Sequence, residues 1–193
     1  MIRTSLLLSF ALLLFSCGTT EPSRFYLVSS PASATQEPTA SNGPLIALEI
    51  VDIPAHLERD PITTRTSSHE LSIAEFDRWA EPLEDALRRV IAETFEARGA
   101  RVAFPGDERD AVLRLKLELA ALDGVLGGEL ELRARWSAHR SGETELQAGR
   151  IRRTESTGGD ASYAAWAAAT SRAFQGLAQD LVQRCMMGDA ATP

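Results

Sequence analysis

Two runs of strict alternation mark the second half of the chain. Leu113, Leu115, Leu117 and Leu119 occupy one phase of a period-two pattern, with Arg114, Lys116 and Glu118 in the other. Leu130, Leu132, Ala134, Trp136 and Ala138 repeat it, opposite Glu131, Arg133 and Arg135. A pleated strand sends successive side chains to opposite faces, so each run predicts a strand with one buried and one wet face. Residues 123–128 form the turn between them. A third strand over residues 145–154 completes a meander. Its alternation is weaker, and Arg150, Arg152 and Arg153 mark it as an edge, where charge discourages pairing with another chain. Residues 45–53 are mostly apolar and predict a central strand that Pro54 ends. Residues 101–104 form a short strand stopped by Pro105-Gly106.

Two segments switch to helical spacing. Leu83, Leu87, Val90, Ile91 and Thr94 make the inner stripe of a helix over residues 81–98. Pro82 fits its first turn, where a missing N–H costs nothing. Glu81, Glu84 and Asp85 place negative charge at the positive end of the helix dipole, and Gly99 follows as the terminating residue. Tyr163, Trp166, Thr170, Phe174, Leu177 and Leu181 form a second stripe. That helix starts near Gly159-Asp160, with Asp160 or Ser162 as its cap. Its alanines allow close approach to a sheet, beside the first helix.

Between the central strand and the first helix lies a denser stretch. Ile62, Thr63, Thr64 and Thr66 suit a strand, Ser67-Ser68-His69 a turn, and residues 70–73 a returning strand. Phe76-Asp77-Arg78-Trp79 then leads into the helix. These four residues have two readings. Phe76 and Trp79 plug the core while Asp77 and Arg78 cap and solvate the helix entry, or the group forms a partner surface, since Trp and Arg are enriched at interface hot spots.

The elements sum to an α/β (α+β) sandwich, with a mixed, largely antiparallel sheet and two main helices packed on it. A single domain over residues 24–187 is expected, with a disordered tail over 188–193. Residues 24–28 are strand-like and residues 29–44 have the Ser, Ala, Thr and Pro content of a flexible loop. Either the run at 24–28 is the first strand of the domain, or all of 18–44 is tether.

The first residues add a compartment. Arg3 and the apolar run from Leu6 to Phe15 read as a signal peptide over residues 1–16, too short to span a bilayer. Leu14-Phe15-Ser16-Cys17 resembles a bacterial lipobox, although Phe15 is larger than the usual residue there. Cys17 is then the lipid-modified first residue, followed by a tether over 17–23. Several acyl chains, palmitate among them, would anchor the protein without a transmembrane helix. Gly18, where the sorting pattern has Asp for inner-membrane retention, is compatible with the outer membrane.

Charge and chemistry narrow the function. Removing residues 1–16 leaves 177 residues and moves the net charge from −7 to −8. An acidic chain lacks the basic footprint of a nucleic-acid binder and has no long-range attraction for anionic headgroups. Two cysteines, one of them Cys17, exclude a disulfide scaffold. Cys185 reads as a buried thiol, with an intermolecular bridge as the alternative. His56, His69 and His139 show no metal-ligand spacing, Gly127-Gly128 and Gly158-Gly159 are turns, and Glu129 and Glu131 lie on a wet strand face. No active site, metal or cofactor is expected beyond the lipid on Cys17, so the chain is expected not to be an enzyme.

A resemblance supplies what chemistry does not. Residues 53–59 (Ile-Pro-Ala-His-Leu-Glu-Arg), 62–65 (Ile-Thr-Thr-Arg) and 74–83 (Ala-Glu-Phe-Asp-Arg-Trp-Ala-Glu-Pro-Leu) resemble the PqiC/YmbA-type lipoproteins, auxiliary components of ABC-type transport systems. The likeness runs from Arg24 to Arg184 and favours the aromatic run at 24–28 as a strand of the domain. It implies an outer-membrane-tethered periplasmic lipoprotein that docks an MCE-type periplasm-spanning protein of an intermembrane lipid transport system. A homo-oligomeric ring would suit such a collar. Arg59, Arg65, Phe76, Asp77, Arg78 and Trp79 are the expected region of partner contact or self-association. The alternative function is an envelope structural or assembly lipoprotein that activates a cell-wall enzyme. A soluble lipid carrier ranks third, because it predicts a hollow interior that these alternating strands do not suggest.

Overall fold

The computed structural model describes residues 21–30, 42–103, 107–144 and 146–186. The signal sequence, Cys17, most of the 29–44 loop and the tail lie outside the described residues. The elements follow in order as β1 (Arg24–Tyr26), β2 (Leu45–Asp52), β3 (Pro61–Ser67), β4 (Glu70–Trp79), α1 (Leu83–Glu96) and β5 (Arg101–Val102). After a 3₁₀ turn at Glu108–Asp110 come β6 (Leu113–Gly124), β7 (Glu129–Arg140), β8 (Leu146–Ser156) and α2 (Tyr163–Met186).

The fold is mixed α+β, with two sheets where one was expected. Five strands lie in the order β5-β2-β6-β7-β8, and three in the order β1-β4-β3. The longest ladders, β6 with β7 and β7 with β8, are antiparallel. By contrast, β2 runs parallel to both of its neighbours, and β1 runs parallel to β4. The hairpin β3–β4 and the aromatic strand β1 therefore form a unit of their own.

The alternation does what it predicts. Leu115, Leu117, Leu130 and Leu132 are fully buried, while Arg114, Lys116, Arg133 and Arg135 face water. A bulge between Leu119 and Ala121 resets the register, so that Leu122 lies buried opposite Leu132. Burying each such leucine stabilises the fold by roughly 1.5–3 kcal/mol. Helix α1 lies over β2 and β5, α2 lies over β7 and β8, and the two helices touch. Both cover one face of the five-stranded sheet.

Helix α1 is shorter than its sequence pattern predicts. It begins at Leu83, and Pro82 is the N-cap, its extended backbone (φ −54°, ψ 137°) leaving its carbonyl to accept from Ala86 N–H at 3.0 Å. The buried stripe ends on Phe95 rather than Thr94, whose hydroxyl instead donates to the Val90 carbonyl at 2.7 Å. Gly99 takes φ +81° just past the helix, as a terminating glycine should. In α2 the cap is Ser162, whose Oγ accepts from Ala165 N–H at 3.1 Å, and Asp160 Oδ1 in turn holds Ser162 N–H at 2.8 Å. In the stripe of α2, Trp166, Thr170, Phe174, Leu177 and Leu181 are buried and Tyr163 is half-buried, and Ala167, Ala169, Ala173 and Ala178 are buried beside them.

One glycine of α2 is a crossing point. A Cβ at Gly176 would lie 2.3–2.6 Å from the guanidinium of Arg153, which passes over the helix there to reach Asp180 at 3.3 Å. Cys185, at the far end of α2, is 2% exposed, and burial pushes its thiol up to about 11. The folded monomer therefore gives it the buried reading.

Candidate functional site

Phe76-Asp77-Arg78-Trp79 forms the end of β4, not an irregular entry to the helix. The strand was hidden because its alternation breaks. Thr63 pairs with Ile73 but Pro61 pairs with Arg78, so β4 bulges between the two pairs. Beyond the bulge, β1 aligns in parallel, with Arg24 beside Asp77, Phe25 beside Arg78 and Tyr26 beside Trp79.

That register sorts the four residues. Trp79 is 5% exposed and belongs to the core, and its N–H donates to the Asp60 carbonyl at 2.7 Å. Asp77 is 3% exposed and is clamped from β1. Arg24 Nε donates to Oδ1 at 2.8 Å, Arg24 Nη2 to Oδ2 at 2.9 Å, and the Tyr26 hydroxyl to Oδ1 at 2.8 Å. The two-pronged guanidinium contact is the strong form of such a pair. The Arg24 hydrogen bond, with that of Tyr26, holds the Asp77 carboxyl below its usual range, although burial opposes them. Burial and the same carboxylate raise the Tyr26 hydroxyl. Asp77 and Trp79 thus correct the expectation of a surface made by all four residues. They hold the sheet together from inside, and only Phe76 and Arg78 are half-exposed.

The remaining expected residues lie apart. Arg59 is exposed in the turn before β3. Arg65 leaves β3 to meet Asp123 at the end of β6, with Nη2 2.7 Å from Oδ2, and its Nη1 donates to the Ser67 and Ser68 carbonyls at 3.2 Å. It ties the small sheet to the large one. Burial acts to raise the Asp123 carboxyl, but Arg65 and the Gly124 N–H outweigh it, and the net direction is down. Arg65, Asp123, Glu129, Glu131, Arg133 and Arg152 line an open groove of about 290 Å³. Glu131 is shared there by Arg133, at 2.9 Å, and Arg152. Its carboxylates and guanidiniums are matched, which leaves it the character of a solvated ion-pair network. No cluster of three metal-ligating side chains occurs among the described residues. No described helix is long and apolar enough to cross a membrane.

Sequence reasoning missed the outward side of β1. Phe25 is 64% exposed and Leu27 is 62% exposed, beside Arg78. Inward-facing Tyr26 and Val28 alternate with them, a signal that was legible only weakly in so short a run. The chain after β1 is fastened to both helices. Arg89 donates to the Val28 carbonyl at 2.8 Å, Ser29 N–H to Ser171 Oγ at 2.9 Å, and Gln175 Nε2 to the Ser29 carbonyl at 2.7 Å.

No curated protein matches the sequence. A crystal structure of an uncharacterized protein superposes with a TM-score of 0.69 at 17% identity, over 85% of this chain and 99% of that one. A crystal structure of a Xanthomonas campestris protein gives 0.64 at 17% identity, over 86% and 95% of the two chains. At such identity the likeness shows the fold alone. A sequence model of the ABC-type transport auxiliary lipoprotein component matches residues 26–182, and the chain belongs to that family.

Proposed function

We propose that this protein is an outer-membrane lipoprotein, anchored by lipid on Cys17, whose domain docks the distal end of an MCE-type periplasm-spanning protein in an intermembrane lipid transport system. Membership of the transport-auxiliary lipoprotein family over residues 26–182 is the observation that carries this reading. The fold supports it in one further way. Strand β1, the described strand nearest the anchor, is clamped into the domain through Asp77, so the domain would sit close against its membrane. Arg59, Phe76 and Arg78 are the members of the expected contact set with surface to offer. Asp77 and Trp79 would act by holding that surface in place, and Arg65 by fixing the hairpin to β6. Self-association into a ring would make such a surface a collar.

In-cell photocrosslinking from positions 59 and 78, with the buried position 79 as the silent control, tests the assignment. Adducts with an MCE-type protein are expected. Adducts with a cell-wall synthase in their place would replace the transport role with envelope assembly. Adducts with its own kind alone would make this surface an oligomer interface.

A further inference from the structure

We propose that the outward side of β1 is a second membrane contact, in which Phe25 and Leu27 enter the headgroup region of the bilayer that holds the anchor. The proposal rests on the reading of Cys17 as the lipidated residue.

Three observations converge on it. First, Phe25 and Leu27, at 64% and 62%, are the most exposed of the large hydrophobic side chains among the described residues. Phe25 lies in β1 and Leu27 just past it, and burial alternates from exposed Phe25 through half-buried Tyr26 and exposed Leu27 to buried Val28, which puts both on the outer side. Second, the backbone at this point is fixed to the domain. Arg24 is held by Asp77, and Glu21 lies 3.6 Å from Arg24. Third, only seven peptide units separate Cys17 from Arg24, the first residue of β1, a span of at most about 25 Å. The anchor therefore keeps this edge of the small sheet within about 25 Å of the bilayer surface.

The chemistry of the surface suits a lipid interface. An aromatic ring and a leucine together offer apolar area for the acyl boundary. The chain's net negative charge gives no long-range attraction to an anionic bilayer, so the contact depends on proximity. A short tether supplies that proximity, because it turns weak binding into an intramolecular event at high effective concentration. Two apolar side chains are too few to bring a free protein to a membrane, yet enough to orient one already anchored there.

Fluorescence from the full-length acylated chain, in vesicles of phosphatidylethanolamine and phosphatidylglycerol with brominated acyl chains, tests the proposal. Trp79, Trp136 and Trp166 are 5%, 7% and 1% exposed and provide a shielded background. Phe25→Trp and, separately, Leu27→Trp place an indole on the patch. Leu146→Trp places one on the outer strand of the large sheet, where Leu146 is 58% exposed. Bromolipid is expected to extinguish the emission added by the first two substitutions and to spare that of the third. Flotation with the vesicles, abolished by Cys17→Ala, checks the anchor separately. Protein that floats by its anchor but whose added indoles are quenched by aqueous acrylamide and not by bromolipid overturns the proposal and leaves the anchor standing. Indoles shielded from both quenchers in an oligomer overturn it in favour of a second copy over the patch. A wild-type chain that fails to float overturns the anchor and the proposal together.

Discussion

The Asp77 carboxylate receives both prongs of the Arg24 guanidinium, from a residue 53 positions earlier, and does so almost wholly out of water. Replacing Asp77 with Ala removes the acceptor for Arg24 and leaves the Tyr26 hydroxyl half-buried without its partner. A cost of about 2 kcal/mol is expected, which lowers Tm by several degrees in a domain of this size. Arg24→Gln should cost at least as much, because it leaves the Asp77 carboxylate, 3% exposed, without its counter-charge. Thermal unfolding of the two variants beside the parent chain checks the order.

The same pair sets an acid limit. The folded-state carboxyl of Asp77 is depressed below its ordinary value of 3.8, and that of Asp123 moves the same way. Their contribution to stability is therefore full above that value and declines as pH falls through the lower, folded-state values. Over roughly pH 5 to 2 the parent should lose Tm more steeply than Asp77→Asn. Parallel curves for the two proteins would show that Asp77 titrates alike in the folded and unfolded chain.

Cys185 should be inert. Its thiol is buried and raised to about 11, so almost no thiolate exists at neutral pH. The folded protein is expected to resist a thiol reagent such as dithionitrobenzoate and to react once unfolded in urea. A dimer that dissolves on reduction would revive the intermolecular bridge.

Two substitutions in the core should separate flexible from rigid neighbours. At Gly176 the obstructing atoms are the far end of Arg153, which can swing away at the loss of its pair with Asp180. Such a half-exposed pair contributes less than about 1 kcal/mol, and alanine returns a similar amount in helix propensity. Gly176→Ala should thus be close to neutral. Leu117→Ala, by contrast, opens a cavity between sheet and helices and should cost about 2–5 kcal/mol. Denaturant midpoints distinguish the two.

How much of this was legible depended on whether the signal was local. The leucine alternation of β6 and β7 and most of each helix stripe are written in adjacent residues, and these formed as read. The small sheet is written across distance. No local pattern announces that Arg24 will lie beside Asp77 in a parallel ladder, and the bulge in β4 erases the alternation that would have marked Phe76–Trp79 as strand. The stripe of α1 keeps Leu83, Leu87, Val90 and Ile91 and ends on Phe95, four residues after Ile91 and a larger apolar side chain than Thr94. For the candidate site, the sequence singled out a stretch but could not tell which of its side chains face inward. Which of Asp77, Arg78 and Trp79 points inward is decided by β1, and so is the exposure of Phe25 and Leu27.

The parallel alignment of β1 with β4 also has a mechanical meaning. A pull on the chain that runs along the axis of β1 meets first the residue gripped by Asp77. Load in that direction falls on the two-pronged ion pair and the ladder hydrogen bonds together, in shear, and does not peel them one by one. The fastening of residues 28 and 29 to both helices then spreads the load into the body of the domain. The three residues of β1 thus form a strain relief at the N-terminal end of the domain.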